Sequence, residues 1–159
     1  MSDLTQLRWQ LADFDALTAL QWHHIYAARC AVFILEQNCP YQDIDGKDPH
    51  CRHLIAWDGE QVAAYLRLVP AGRSFAEVSL GRVLSSAAWR GSGIGKDLLG
   101  RGIAALHAAH PGTAIRIGAQ AYLEKFYASF GFETVSATYL EDDIAHIDML
   151  LPAARDGAA

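Results

Sequence analysis

Apolar and polar residues alternate at Leu7, Arg8, Trp9, Gln10 and Leu11, the two-residue period of a half-buried strand. The spacing then changes. From Asp15, which suits a helix cap, apolar positions recur at helical intervals to about Arg29, with Leu17, Leu20, His24 and Ala27 predicted on one side. A second helical stretch is predicted over residues 31–36. Residues 38–49 hold two prolines, a glycine and three aspartates, and read as an ordered loop. Two apolar runs, 53–57 and 61–69, flank Asp58, Gly59 and Glu60, the pattern of a β-hairpin. Residues 78–84 form another apolar strand, predicted to be central. After a glycine-rich segment, Leu99, Ile103 and Leu106 form one buried helical stripe that ends near His110, before Pro111 and Gly112. Residues 114–119 read as a strand. Leu123, Phe126, Tyr127 and Phe130 return at helical spacing, with Gly131 at the left-handed position that closes the helix. Residues 132–139 and 145–151 are the last two strands. The order predicts a mixed α/β fold.

Composition narrows this picture. A chain of 159 residues with 52% hydrophobic and 19% charged residues is long enough for one buried core and too apolar for disorder. No repeat or linker interrupts it, so a single domain over residues 1–159 is expected, with residues 153–159 as a flexible tail. The net charge of -5 and the lack of a basic run argue against nucleic acid and anionic membrane as partners. No apolar run approaches the roughly 20 residues that span a bilayer. Met1, Ser2, Asp3, Leu4 and Thr5 do not resemble a secretory signal. Cys30, Cys39 and Cys51 give no even disulfide framework, and free thiols in the cytoplasm are expected. Exposed strand edges make a homodimer conceivable.

The candidate chemistry starts at Arg90, Gly91, Ser92, Gly93, Ile94, Gly95 and Lys96, between a strand and an amphipathic helix. Helix first-turn N–H groups lack intrahelical partners, and the macrodipole makes that end partly positive. Glycines let an anion approach the backbone. The segment fails the nucleotide P-loop pattern, because Asp97 follows Lys96 and no glycine stands five residues before Gly95. It fails the dinucleotide pattern too, which needs a glycine where Lys96 stands.

What remains is Arg-x-x-Gly-x-Gly, with Arg90, Gly93 and Gly95 in place. This resembles the pyrophosphate-binding motif A of the GNAT acetyltransferase superfamily. The element order resembles that fold over about residues 7–150. Residues 36–46, 118–121 and 126–132 are similar to the ElaA-type subgroup. The resemblance implies a mostly antiparallel, mixed central sheet of about seven strands, flanked by about four helices and splayed between the fourth and fifth strands. It implies acetyl-CoA as co-substrate, an amine of a small molecule or peptide as acceptor, and direct attack in a ternary complex. The strand before the motif is expected to carry a bulge, with the strand end Val83, Leu84 and Ser85 against the pantetheine arm and the Leu84 N–H as oxyanion donor. Arg90 to Lys96 would hold the pyrophosphate. Gln120 and Phe126 complete the expected cofactor contacts.

Transfer from a thioester needs a neutral amine, an oxyanion donor and a proton for the departing sulfur. Tyr127 is the candidate acid by resemblance, although its place on the apolar stripe is equally that of a core tyrosine. The fourth strand holds Arg82 and no carboxylate where many GNAT enzymes place a glutamate. Glu36, seven residues after Arg29, is the candidate base, with Asp43 and Asp45 as alternatives. Arg67 and Arg82 lie in apolar strands, where an unpaired charge is costly. They are expected either to pair with buried carboxylates such as Glu36 or to bind an acidic group on the acceptor. Arg29, Arg67, Arg82 and Asp45 are therefore the candidate acceptor-binding set. No metal is expected. Residues 43–48 lack the spacing of an EF-hand, and His50, Cys51 and His53 match no zinc pattern. Cys39 lacks an identifiable base, and His146 reads as a packed core histidine. A non-catalytic CoA-binding regulatory module is the second reading, supported by the missing strand carboxylate. A purely structural domain is the third.

Overall fold

The computed structural model of the chain describes residues 3–153. The expected tail therefore lies, apart from residue 153, outside the described residues. Strands β1 (Arg8–Asp13), β2 (Arg52–Asp58), β3 (Gln61–Val69) and β4 (Ser79–Ser85) form an antiparallel sheet in sequence order. A second antiparallel sheet has β5 (Ile115–Gln120) and β6 (Glu133–Thr134) on either side of β8 (Ile144–Leu151), which β7 (Tyr139–Glu141) also joins. The eighth strand arises because the run read as one strand over 132–139 divides into β6 and β7. The sheets meet through one parallel bridge, Val78 with Ile115, where the Arg116 N–H donates to the Val78 carbonyl at 3.0 Å. Beyond it β4 pairs with β3 and β5 with β8. The result is the expected mixed α/β sheet, splayed between the fourth and fifth strands.

Helix α1 (Ala19–Arg29) starts later than the apolar spacing predicts. Its cap is Thr18, not Asp15: the Thr18 hydroxyl accepts from the Gln21 N–H, and the Gln21 side chain accepts from the Thr18 N–H. Asp15 lies in a 3-10 turn before it. The buried face carries Trp22, Ile25 and Arg29, whereas Leu20 is exposed. The second helical stretch is a π-helix, Cys30–Glu36, running directly on from α1. Its wider turn changes the angular spacing of side chains, so positions seven residues apart no longer share a face.

Alternating residues of β2 and β3 feed two cores. Leu54, Ala56, Leu66 and Leu68 pack under α2 (Ile94–Ala109) with its Leu98, Leu99 and Leu106. Ile55, Trp57 and Tyr65 pack under α1 with Trp22 and Ile25. At Gly102 the α2 backbone comes so close to β3 that an added Cβ would stand 2.9 Å from Leu66 Cδ2. Leu66 is fully buried and has nowhere to move. Gly102→Ala is thus expected to destabilise the fold by about 1–3 kcal/mol despite alanine's better helix propensity, measurable as a lower denaturant midpoint. Wild-type or higher stability would show that α2 can ride outward.

Candidate active site

The gap between β4 and β5 opens a cleft of about 920 Å³. At one end stands the glycine-rich segment. Gly91 and Gly93 have φ of 76° and 89°, the left-handed region that a Cβ disfavours. This backbone turns the chain from a 3-10 turn at Ala87–Trp89 into α2, with Gly93 as its N-cap. The Ser92 hydroxyl donates to the Trp89 carbonyl and accepts from the Ile94 N–H. Asp97 makes the first helical bond, to the Gly93 carbonyl. Among the described residues the amides of Gly95 and Lys96 are left without a partner. They stand at the positive end of a 16-residue helix, with the exposed Lys96 beside them. Gly95 and Arg90 line the cleft. The Ile94 side chain points into the core, so only its backbone belongs to this end.

Along one wall, β4 carries the expected bulge. Tyr65 faces Leu84 and Arg67 faces Gly81, so Arg82 and Val83 both stand opposite Leu66. Arg82 takes φ of 51°, a left-handed conformation that costs a non-glycine residue about 1 kcal/mol or more. Val83 and Leu84 line the cleft on this distorted edge. Helix α3 (Glu124–Ala128) closes the facing side. Its Phe126 and Tyr127 rings meet edge to face at 5.4 Å, and Tyr127 packs on Phe132 at 6.0 Å. Tyr127 is 6% exposed, lines the cleft, and its hydroxyl makes no hydrogen bond to another described residue. Burial, with a smaller contribution from Tyr122, pushes its pKa far above the ordinary tyrosine value. Tyr127 is therefore a core residue that also borders the cleft.

The three arginines share one buried network with Asp43, Asp45 and Asp48. Arg29 reaches Asp43 at 2.9 Å and Asp48 at 2.8 Å. Arg67 reaches Asp45 at 2.6 Å and Asp48 at 3.1 Å. Arg82 reaches Asp43 at 2.8 Å and Asp45 at 3.3 Å. The charges balance, and the network ties residues 43–48 to α1, β3 and β4. His53 extends it, donating to the Asp48 carbonyl and accepting from the Tyr65 hydroxyl at 2.6 Å. Burial raises the Asp45 and Asp48 pKa values, but the arginine hydrogen bonds and charges outweigh it and hold both below the usual carboxylate range.

These placements correct several expectations. Glu36 does not join the buried arginines: the π-helix carries it to the surface, where it accepts from Arg90 at 2.6 Å. Arg29 is fully buried and committed to two aspartates, so it does not reach an acceptor. Arg67, Arg82 and Asp45 line the cleft, but each is already paired. Gln120 lines it and donates to Gln37 at 3.2 Å, across from the π-helix end. Cys39 is buried, its thiol donating to the Asp142 carbonyl at 3.2 Å. Desolvation and the nearby Asp142 and Asp143 raise its pKa, which leaves it a poor nucleophile. Spacing missed Asp48 and Gly81. Ser85 offers its carbonyl to Arg90. Gly81 lines the cleft beside Arg67, and a Cβ there would meet nothing within 4 Å, so it leaves the floor open.

The comparisons converge on this architecture. Residues 21–152 match the acetyltransferase (GNAT) domain family. Protein ElaA of Escherichia coli strain K12 is 39% identical over 145 residues, spanning 90% of this chain and 95% of that protein. An acyl-CoA N-acyltransferase from Pseudomonas aeruginosa superposes with a TM-score of 0.86 at 40% identity, covering 91% of this chain and 98% of that one. The crystal structure of Escherichia coli ElaA superposes with a TM-score of 0.85 at 38% identity, over 91% and 98% of the two chains. With a split sheet, a bulged fourth strand and a glycine-rich helix start on the same cleft, the chain belongs to the GNAT acetyltransferase family and is an N-acetyltransferase that takes its acyl group from an acyl-CoA.

Proposed function

We propose that the chain transfers the acetyl group of acetyl-CoA to a primary amine of a small molecule or peptide, by direct attack within a ternary complex. The observation that carries this is the pair of unpartnered amides, Gly95 and Lys96, at the end of the cleft that Tyr127 also lines. Residues Arg90 to Lys96 would hold the pyrophosphate by backbone N–H groups and flanking charge. The bulged edge at Val83 and Leu84 would take the pantetheine arm, with Phe126 and Gln120 beside it. The amine nitrogen attacks the thioester carbonyl while the Leu84 N–H holds the developing oxyanion. The carbon–sulfur bond then breaks, and Tyr127 gives its proton to the sulfur. Asp45, Arg67 and Arg82 would meet the acceptor as a fixed, charge-balanced wall.

Calorimetric titration with acetyl-CoA, followed by thiol release in the presence of a primary-amine panel, tests the reading. Saturable binding and amine-dependent thiol release are expected. Binding without turnover across the panel would favour the non-catalytic CoA module, which the carboxylate-free β4 supports. Absence of binding would remove both readings.

A further inference from the structure

Every carboxylate that the residue pattern offered as a base is held by an arginine: Glu36 by Arg90, Asp43 by Arg29 and Arg82, Asp45 by Arg67 and Arg82. β4 has none of its own. Among the groups that line the cleft, His146 has a ring nitrogen with no hydrogen-bond donor on it. His146 lies on β8, with a side chain 11% exposed. Its Nδ1 lies 2.7 Å from the Ile144 carbonyl, and a carbonyl can only accept, so Nδ1 carries the hydrogen. That leaves the neutral ring's lone pair on Nε2. Glu141 Oε2 stands 3.5 Å from Nε2. The ring stacks on Tyr139 at 6.0 Å, which limits its rotation.

The strand register places this histidine on the β5 side of the cleft. His146 pairs across the sheet with Gln120, the last residue of β5, and the turn that leads from Gln120 into α3 and Tyr127 packs against β8. We infer that His146 is the general base of the acyl transfer, with Glu141 as its positioning residue. This rests on the acetyl-transfer reading above. His146 Nε2 takes a proton from the attacking nitrogen, directly or through one water, as the nitrogen–carbon bond forms and the carbon–sulfur bond breaks. The thiolate takes its proton from Tyr127. Transfer from imidazolium to phenolate through solvent restores both residues, so the protons balance. Tyr139 on β7 stacks on the ring, Asp142 and Tyr122 line the same cleft, and Asp148 stands two residues on in β8. Asp148 is already bound by Arg116 and Tyr139.

The test compares the unaltered enzyme with His146→Gln, using the best amine of the panel. A fall in kcat/KM of about 10²–10⁴-fold is expected, with loss of the acidic limb of the pH profile and unchanged acetyl-CoA affinity. Exogenous imidazole should restore part of the rate to His146→Gly. Glu141→Gln should lower kcat and leave KM for acetyl-CoA unchanged. Nitrogen chemical shifts of the neutral His146 ring should report an Nδ1-protonated tautomer. A His146→Gln enzyme that keeps its rate and its acidic limb, or a ring protonated on Nε2, overturns the assignment while leaving acetyl transfer intact. If the unaltered enzyme acetylates no amine, the reading beneath it falls first.

Discussion

Replacing Tyr127 by phenylalanine is expected to lower kcat by about 10²–10⁴-fold, a barrier increase of roughly 3–5 kcal/mol, while acetyl-CoA affinity stays within about twofold. The substitution is clean because the ring keeps its contacts. Phe126 and Phe132 touch the aromatic face and edge, and no hydrogen bond to another described residue is lost with the hydroxyl. The fold should be unmoved, and what disappears is a proton at the cleft. Burial keeps that proton on the oxygen throughout the neutral range, the state a leaving thiolate requires. Single-turnover thiol release with saturating acetyl-CoA and amine reads the chemical step directly. Unchanged turnover would reduce Tyr127 to a core residue and leave solvent to protonate the sulfur.

Asp48→Ala is expected to cost about 3–5 kcal/mol of folding stability, because it removes a buried carboxylate shared by two buried cations rather than a single contact. Asp48 is 1% exposed and its Oδ1 accepts from both Arg29 and Arg67. Arg29 keeps Asp43 and Arg67 keeps Asp45, so the network loosens rather than vanishes. Arg67 Nη1 keeps Asp45, whereas Arg29 Nη1 loses its partner, and Arg67 already has a buried Nε without one. The pH dependence follows from the lowered Asp48 pKa. Stability from a carboxylate depressed in the folded state is fully present above the ordinary value of about 4 and is lost as pH falls through the lower folded value. The wild-type Tm should therefore decline below about pH 4, and Asp48→Ala should show a lower Tm with a shallower acidic decline. A cost under about 1 kcal/mol with an unchanged acidic slope would mean that water had replaced the carboxylate.

The parts of the site legible along the chain are those set by local chemistry. Gly91 and Gly93 occur where the backbone must turn left-handed into α2, and Arg90 and Lys96 flank that turn by covalent neighbourhood. The bulge was expected at the end of β4, and Arg82 and Val83 carry it. What failed was extrapolation of helical phase. Glu36 was placed beside Arg29 by α-helical spacing, and a seven-residue π-helix rotates it outward onto Arg90. Asp48 was invisible as an anchor because an aspartate before proline in a loop looks like turn chemistry. His146 reads as a core residue by alternation and is nearly buried. Its place on the cleft follows only from the splaying of β4 from β5.

By itself, the order of residues determined the mixed α/β character and the glycine-rich start of α2, because periodicity and glycine conformation act over a few residues. The tertiary structure alone decided which charges meet. Arg29, Arg67 and Arg82 come from α1, β3 and β4, and they find Asp43, Asp45 and Asp48 only when the loop folds over the sheet. Desolvation then makes that pairing compulsory, since a buried guanidinium without a carboxylate costs several kcal/mol. The same long-range geometry leaves His146 with its lone pair, because every competing carboxylate from the residue pattern has been claimed elsewhere.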